Sequence, residues 1–501
     1  MATRFSRIVI AGLSGNSGKT IACLSLLTAL KNKGLSVSVF KKGPDYIDPA
    51  WLSQAAGAVC RNLDTYMTGR DEVLRAFVAS AGKTDISVIE GNRGIHDGKD
   101  VAGTHSTAEL AKLLDAPVVL VVDVSRVTRT VAAIVRGCVD FDPEVRFAGV
   151  ILNRVAGRRH LQVITDSIRQ YCDLPVLGAI SNLGDEASPI PSRHLGLVTP
   201  AEFRSGVNFH ELLSEIAEKH LDVDELLEVA KRVDPLTCPE LPQPEAVTGR
   251  VRIGYFRDSV FTFYYPENLE ALEDQGAELV PISSLDDPHL PDIDALYIGG
   301  GFPETHADQL ARNVSMMESV RKAATNDLPI YAECGGLIYL AESLSWNDNV
   351  YPMAGLFPIK LYMRSKPVGH GYTQVQVDRP NPFFAVGTSI KGHEFHYSGL
   401  TDVPKEIESC MEVQTGVGIG DSRDGLVYRN VLGCYLHIHA SGVKEWAGAM
   451  VSQAADYRSK HSTNDARNEA DTFRYESSGR SRNSEVVLSS RLDRQLQFGN
   501  I

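Results

Sequence analysis

The stretch Gly12-Leu13-Ser14-Gly15-Asn16-Ser17-Gly18-Lys19-Thr20 constrains this chain more than any other. A short apolar run, Arg7 to Ala11, precedes it. Ile21 to Lys33 follows with helical periodicity and closes at Gly34. A glycine loop between a strand and a helix turns backbone N–H groups inward, and the helix N-terminus adds positive potential, so the loop suits phosphates. In this reading Gly15, Asn16, Ser17 and Gly18 form the cradle, Lys19 reaches the β- and γ-phosphates of ATP, and the Thr20 hydroxyl binds Mg²⁺. The usual spacing calls for glycine at position 13. Here Leu13 stands there and Gly12 lies one place earlier, so the loop is a lengthened variant. The plain alternative is a glycine turn without a ligand.

The apolar runs Leu35 to Phe40, Ile86 to Ile89, Pro117 to Val122 and Phe147 to Leu152 alternate with helix-like segments. Short, wholly apolar strands separated by helices predict a parallel sheet covered on both faces, an α/β fold. Residues 1–232 form this first unit. Residues 233–249 carry four prolines and no period and read as a linker. The alternation restarts at Val251 and predicts a second doubly wound parallel-sheet domain over 250–456. From Tyr457 the chain turns polar, and 457–501 read as a disordered tail.

Two acidic loops follow strands of the first unit. One is Lys41-Lys42-Gly43-Pro44-Asp45-Tyr46-Ile47-Asp48-Pro49; the other starts at Glu90, with Asp97 close behind. Such loops gather at the carboxyl edge of a parallel sheet, where carboxylates hold Mg²⁺ against phosphates and lysines neutralise phosphates or an acidic substrate. Equally, Asp45 and Asp48 cap a turn before Pro49.

In the second unit, Glu333-Cys334-Gly335-Gly336 sits between a strand and a helix-like run. This predicts a strained elbow with Cys334 as nucleophile, a helix N-terminus favouring its thiolate, and the Gly335 N–H as half of an oxyanion hole. Gly299-Gly300-Gly301, with Gly300 and Gly301 as the donors, supplies the other half. The base is sought in Gly433-Cys434-Tyr435-Leu436-His437-Ile438-His439. Read as a strand, this segment puts His437 and His439 on one face, and His437 is the choice. A buried structural cysteine and a satisfied core histidine are the bland readings. His393-Glu394-Phe395-His396 lacks the spacing of a zinc motif and is read as no metal site. For the aromatic run Phe261 to Tyr265, core packing is the default.

Taken together, these residues resemble the cobyrinic acid a,c-diamide synthase family. The blocks that carry the resemblance are KKGPDYIDP (41–49), EGNRGIHDG (90–98), RHLGLVTPAE (193–202), FTFYYPENLEAL (261–272), GGGFPE (299–304), AECGGLIYL (332–340), GHEFHYS (392–398) and YLHIH (435–439). The N-terminal half is similar to dethiobiotin synthetases, with a P-loop NTPase-like domain; the C-terminal half resembles a class I glutamine amidotransferase domain. The resemblance implies that Cys334 releases ammonia from L-glutamine with His437 as base, and that ATP phosphorylates a substrate carboxylate which ammonia then converts to an amide. It assigns Asp45, Asp48, Glu90 and Asp97 to Mg²⁺, ATP or substrate carboxylates, with Thr20, Asp45 and Glu90 as the Mg²⁺ set. Two sites in two domains also call for a protected ammonia path.

Two departures matter. Class I amidotransferases place Glu two residues after the catalytic His, and here that place holds His439. What orients His437 is open. Further, YLHIHASGVKEWA (435–447) is more similar to relatives thought to amidate sirohaem or sirohydrochlorin, so a tetrapyrrole other than a corrin is the alternative substrate. A P-loop regulatory ATPase with a degenerate second domain, and a glutaminase serving a partner, are the competing classes. The net charge of −13 argues against nucleic-acid and membrane-surface partners. No apolar run approaches the roughly 20 residues of a membrane span. Scattered cysteines without a CxxC pair, and a start unlike a signal peptide, predict a reduced, cytoplasmic protein, with a homodimer as one expected assembly.

Overall fold

The run after Arg7 becomes β1 (Arg7–Gly12), every residue of which is buried. A computed structural model describes residues 3–182, 192–193, 196–200, 202–203, 208–237, 250–401 and 408–461. Residues 194, 195 and 201 of the RHLGLVTPAE block, residues 238–249 of the expected linker and residues 462–501 of the expected tail lie outside the described residues.

In the first half, β1, β2 (Val37–Lys42), β3 (Cys60–Leu63), β4 (Ile86–Glu90), β5 (Val118–Asp123), β6 (Phe147–Val155) and β7 (Val176–Ser181) form one sheet in the order β3-β2-β4-β1-β5-β6-β7. All its pairings are parallel. Alternation of side chains along a strand feeds two cores. Ile8 and Ile10 pack under α1 (Lys19–Asn32), α2 (Ile47–Ala56) and the helices Phe209–His220 and Val223–Lys231. Val9 and Ala11 pack under the helices on the opposite face, from Arg70–Ala81 to Arg158–Cys172. Val233 and Leu236 stay buried on this half, and Leu236 bridges to Thr3, so the chain leaves the domain a few residues later than composition indicates.

Arg7 opens the central strand and is wholly buried. Its guanidinium donates to the carbonyls of Phe5, Leu114, Asp115 and Asp234, tying strand, helix end and domain exit together. Burial lowers its pKa to about 10.

The second half carries a nine-stranded sheet: β8 (Val251–Phe256), β9 (Ala277–Ile282), β10 (Ala295–Ile298), β11 (Ile330–Glu333), β12 (Gly369–Val377), β13 (Ser389–His396), β14 (Glu408–Thr415), β15 (Arg423–Tyr428) and β16 (Val431–Cys434), in the order β9-β8-β10-β11-β16-β15-β14-β12-β13. The first five in that order pair in parallel. The rest pair antiparallel, so the expected parallel sheet describes only one part of a mixed one. The reason lies in the pattern: β12 alternates buried and half-buried residues toward its end, the mark of a strand with one face in the core. A four-stranded sheet (Ala341–Trp346, Asn349–Pro352, Phe357–Met363, Ser398–Leu400) packs alongside. The last helix runs over 445–461, past the point where composition turns polar, and Tyr457 packs on the core. Among the described residues no helix is long and apolar enough to cross a membrane.

Removing the Arg7 side chain takes the hydrogen-bond donor from four carbonyls, that of the buried Leu114 among them. Arg7→Met is expected to destabilise the first half by roughly 3 kcal/mol. The measurement is a denaturant titration following Trp51, which is buried in that half. An unmoved transition would refute the role given to Arg7.

Candidate active site

The loop after β1 is built as its sequence predicts. Gly15 and Asn16 are exposed at its tip and Ser17 is buried. Gly18 has φ 95°, a left-handed turn that starts α1, and leaves no room for a side chain against Asn153. Asn153, on β6, donates to the Ser17 carbonyl at 3.0 Å and braces the loop; sequence reading gave it no role. The Lys19 ammonium donates to the carbonyls of Ser14 (2.8 Å) and Arg93 (2.9 Å). Burial and the nearby Lys41 lower its pKa. Thr20 Oγ1 donates to Glu90 Oε1 at 2.8 Å, while Glu90 Oε2 is buried with no hydrogen-bond partner among the described residues.

Three of the four predicted acids converge on one lysine. Lys41 Nζ lies 2.5 Å from Asp48, 3.1 Å from Glu90 and 3.9 Å from Asp45. Its neighbours Asp48 and Glu90 hold it protonated against the cost of burial. Asp45 caps the turn as expected, Oδ1 accepting the N–H groups of Ile47 and Asp48, while Oδ2 faces Lys41. Burial, helped by Asp48, pushes the Asp45 carboxyl up to about 7. Burial also raises Glu90. Asp97 stands apart from Lys41, capping its own turn by accepting the Gly94 N–H at 2.8 Å.

Cys334 joins β11 to the helix Gly335–Leu340 at φ 48° and ψ −95°, a strained conformation for a side-chain-bearing residue. The elbow is held by the Cys334 N–H on the Cys434 carbonyl, at 2.7 Å. Gly335 abuts the Gly301 backbone: a Cβ on Gly335 would lie 2.9 Å from the Gly301 nitrogen. A Cβ on Gly301 would lie 1.8 Å from the Val260 carbonyl, so only glycine fits there. At Gly300 the neighbour is the His437 ring. Contrary to the thiolate expected from the helix terminus, burial, then Glu304 and Glu333, push the Cys334 thiol well up, and the Gly335 N–H offsets them only in part.

His437 lines the same cavity as Cys334. It does not lie on a strand, because β16 ends at Cys434; a backbone bridge to His393 holds it instead. The two imidazoles stack at 4.8 Å. Burial, then His437, drives the His393 pKa well below the usual histidine range. His439 goes elsewhere, with Nε2 3.6 Å from Glu267. His437 Nδ1 faces Glu333 Oε2 at 3.5 Å and the Tyr46 hydroxyl at 3.4 Å. Glu333, wholly buried, is itself fixed by Tyr297, Tyr331 and the Ile438 N–H. Its position next to the nucleophile was the sequence signal, unread because a third member was sought near His437. In the HEFH run, Glu394 accepts the N–H groups of Val417 and Gly418, and His396 stacks on Tyr435. Phe261 and Tyr265 are buried as expected, while Phe263 lines the cavity.

One cavity of about 660 Å³ is lined by Asp45, Asp48 and Asp97 of the first half and by Gly301, Cys334 and His437 of the second. Its seam is closed by Tyr46 stacked on Phe263 at 5.0 Å, by Tyr372 donating to Asp64 at 2.7 Å, and by Arg61 paired with Glu267 and Glu270. The cavity is common to both halves, with the Asp45–Asp48 loop on one side and the cysteine elbow on the other.

Comparison with known proteins agrees with this division. Residues 8–195 match the CobQ/CobB/MinD/ParA nucleotide binding domain, and residues 252–444 match the CobB/CobQ-like glutamine amidotransferase domain. A cobyrinate a,c-diamide synthase of Magnetococcus marinus is 43% identical over 453 residues, covering 89% of this chain and 97% of that protein. The enzyme of the same name from Archaeoglobus fulgidus is 41% identical over 450 residues, covering 89% and 97%. That of Methanosarcina acetivorans is 39% identical over 479 residues, covering 90% and 96%. With a nucleotide loop and a cysteine elbow in one chain, and likeness of this extent along most of its length, the chain belongs to the cobyrinate a,c-diamide synthase family.

Proposed function

We propose that the chain is an ATP- and glutamine-dependent ligase that converts the a and c carboxylates of cobyrinic acid into carboxamides, a step of cobalamin biosynthesis. The observation that carries this reading is the single chamber bordered by Cys334, His437, Asp45 and Asp48.

Glutamine is taken first. With Nδ1 of His437 turned to Glu333, Nε2 is left to receive the Cys334 proton as sulfur attacks the amide carbon. The negative oxygen then faces the N–H groups of Gly301 and Gly335, with Gly300 bordering the base. His437 returns the proton to the leaving nitrogen, ammonia departs, and water hydrolyses the thioester to glutamate. Glu333 is a positioning residue: it fixes the tautomer of His437 and balances its positive form. With burial holding the thiol pKa up, proton removal is coupled to attack.

ATP is held by the Gly15–Gly18 cradle, with Lys19 at the β- and γ-phosphates. A substrate carboxylate attacks the γ-phosphorus, ADP leaves, and an acyl phosphate results. Ammonia attacks that carbonyl carbon, phosphate leaves, and the attacking nitrogen gives up a proton. Lys41, fixed by Asp48 and Glu90, faces the charge that develops on the transferring group. The unpartnered Glu90 Oε2 beside Thr20 Oγ1 fits Mg²⁺, a hard cation that takes few protein oxygens when phosphates supply the rest, with Asp45 Oδ2 as a further donor. When bound, the ion neutralises phosphate charge. Asp97 shapes the loop that borders this site. ATP use and a reduced nucleophile fit a cytoplasmic setting.

Cys334→Ala is expected to abolish glutamine-dependent amidation and to leave turnover with added ammonium salt. Lys19→Ala is expected to abolish amidation from either nitrogen source. A glutaminase serving a partner would keep forming product after the lysine change, and a regulatory ATPase would release no glutamate at all. Glu333→Gln preserves shape and loses the charge; glutaminase kcat should fall on the order of 10²-fold, with its acid limb displaced, while ammonia-dependent turnover persists. An unchanged pH profile would remove Glu333 from the mechanism. For the substrate, mass spectrometry after incubation with cobyrinic acid or sirohydrochlorin reads each acid-to-amide change as a loss of about one mass unit and one negative charge. Product from sirohydrochlorin alone would overturn the corrin assignment.

A further inference from the structure

Lys41 and Lys42 end β2 and, as neighbours on a strand, point to opposite faces. Lys41 is spent on Asp48 and Glu90. Lys42 is different. It is only 7% exposed, it lines the chamber, and among the described residues its ammonium has no hydrogen bond and no ion pair. The acid that offsets it at longer range, Asp64, is already committed: Oδ1 accepts the N–H groups of Tyr66 and Met67, and Oδ2 accepts the Tyr372 hydroxyl. A buried cation without a partner is costly to keep, and a site that binds an anion explains its retention.

Other cations share the same wall. Arg93 lines the chamber and reaches His370 of the second half at 3.4 Å, while its carbonyl holds Lys19. Its φ of 49° lies in the left-handed region, so the chain accepts local strain to set this residue here. Lys99 also lines the chamber, 4.4 Å above the Tyr66 ring, and Lys391 of the second half approaches the same ring at 5.4 Å. None of Lys42, Arg93, Lys99 and Lys391 has a carboxylate within ion-pair distance among the described residues, although the chain carries a formal charge of −13. Lys391 is not itself among the residues that line the chamber and joins the wall through the Tyr66 ring that it shares with Lys99, whereas Lys19 is held apart on the Ser14 and Arg93 carbonyls.

We infer that Lys42, Arg93, Lys99 and Lys391 form an anion-binding wall that takes the carboxylates of the macrocycle which are not reacting, so that one further carboxylate is presented to the acid cluster and to ammonia from Cys334. The inference rests on the amide-synthase reading and adds how the acid is recognised. A polycarboxylate fits the wall because the cations are spread over several elements from both halves and cannot all meet one small anion. A chamber of about 660 Å³ also lies within the usual size of a small-molecule pocket.

The test is steady-state kinetics of the full chain with cobyrinic acid, ATP and glutamine. Lys42→Met, and the double variant Lys99→Ala with Lys391→Ala, are expected to raise KM for the acid about tenfold or more, as loss of a charged hydrogen bond does. kcat should change much less, and the dependence of KM on salt should flatten. Lys99→Arg with Lys391→Arg should restore KM. Melting temperatures check that each variant is folded; if Lys42→Met is not, the surface double variant carries the test alone. An unchanged KM in folded variants overturns the inference, and so does a parallel rise in KM for ATP, which would assign the wall to the nucleotide. Absence of any amidation by the unaltered chain, on cobyrinic acid or sirohydrochlorin, is a different failure, that of the amide-synthase reading itself.

Discussion

The ring of Tyr46, at the start of α2, is held between Phe263, Tyr265, His393 and His437 of the second half, with centroid distances from 4.5 to 5.6 Å. A large, rigid aromatic residue buried in this way fixes the two halves at a set spacing. Two residues of its own loop, Asp45 and Asp48, touch Lys41, so one short stretch of chain borders both chemistries. Ammonia is mostly protonated in water at neutral pH, and only its neutral form attacks carbonyl carbon. A chamber lined by both halves sets the cysteine elbow and the Asp45–Asp48 loop around one space, which would shorten the way that the neutral molecule has to cross.

Two buried charges stand out in an otherwise ordinary α/β framework. Lys41 with its three acids, and Arg7 with its four carbonyls, are expensive to remove from water and are kept by saturation of their contacts. Arg7 serves the scaffold, at the opposite end of β1 from the phosphate loop. The Lys41 group serves the site, since charges fixed before the substrate arrives need no rearrangement when new charge develops.

What the sequence made legible were local features. The phosphate loop, the cysteine elbow and the glycine run are each defined by a few adjacent residues whose backbone demands are unusual, and all three stand where they were expected. Features that depend on distant segments were hidden. The antiparallel part of the second sheet follows from β12, whose partners β13 and β14 no local pattern names. His437 was found for a reason that does not hold, since it is set by a bridge to His393 and not by a strand. Glu333 escaped notice because contact across the sheet between β11 and the segment after β16, and not spacing, brings it to His437. Asn153 is invisible for the same cause.

Cys334 is almost completely enclosed, and that burial raises its thiol pKa. Peroxides and alkylating agents react with thiolates, so a buried thiol is a poor target for them. In the proposed cycle the sulfur ionises only as it meets the glutamine amide, so the enclosed resting site would offer an oxidant little thiolate to attack.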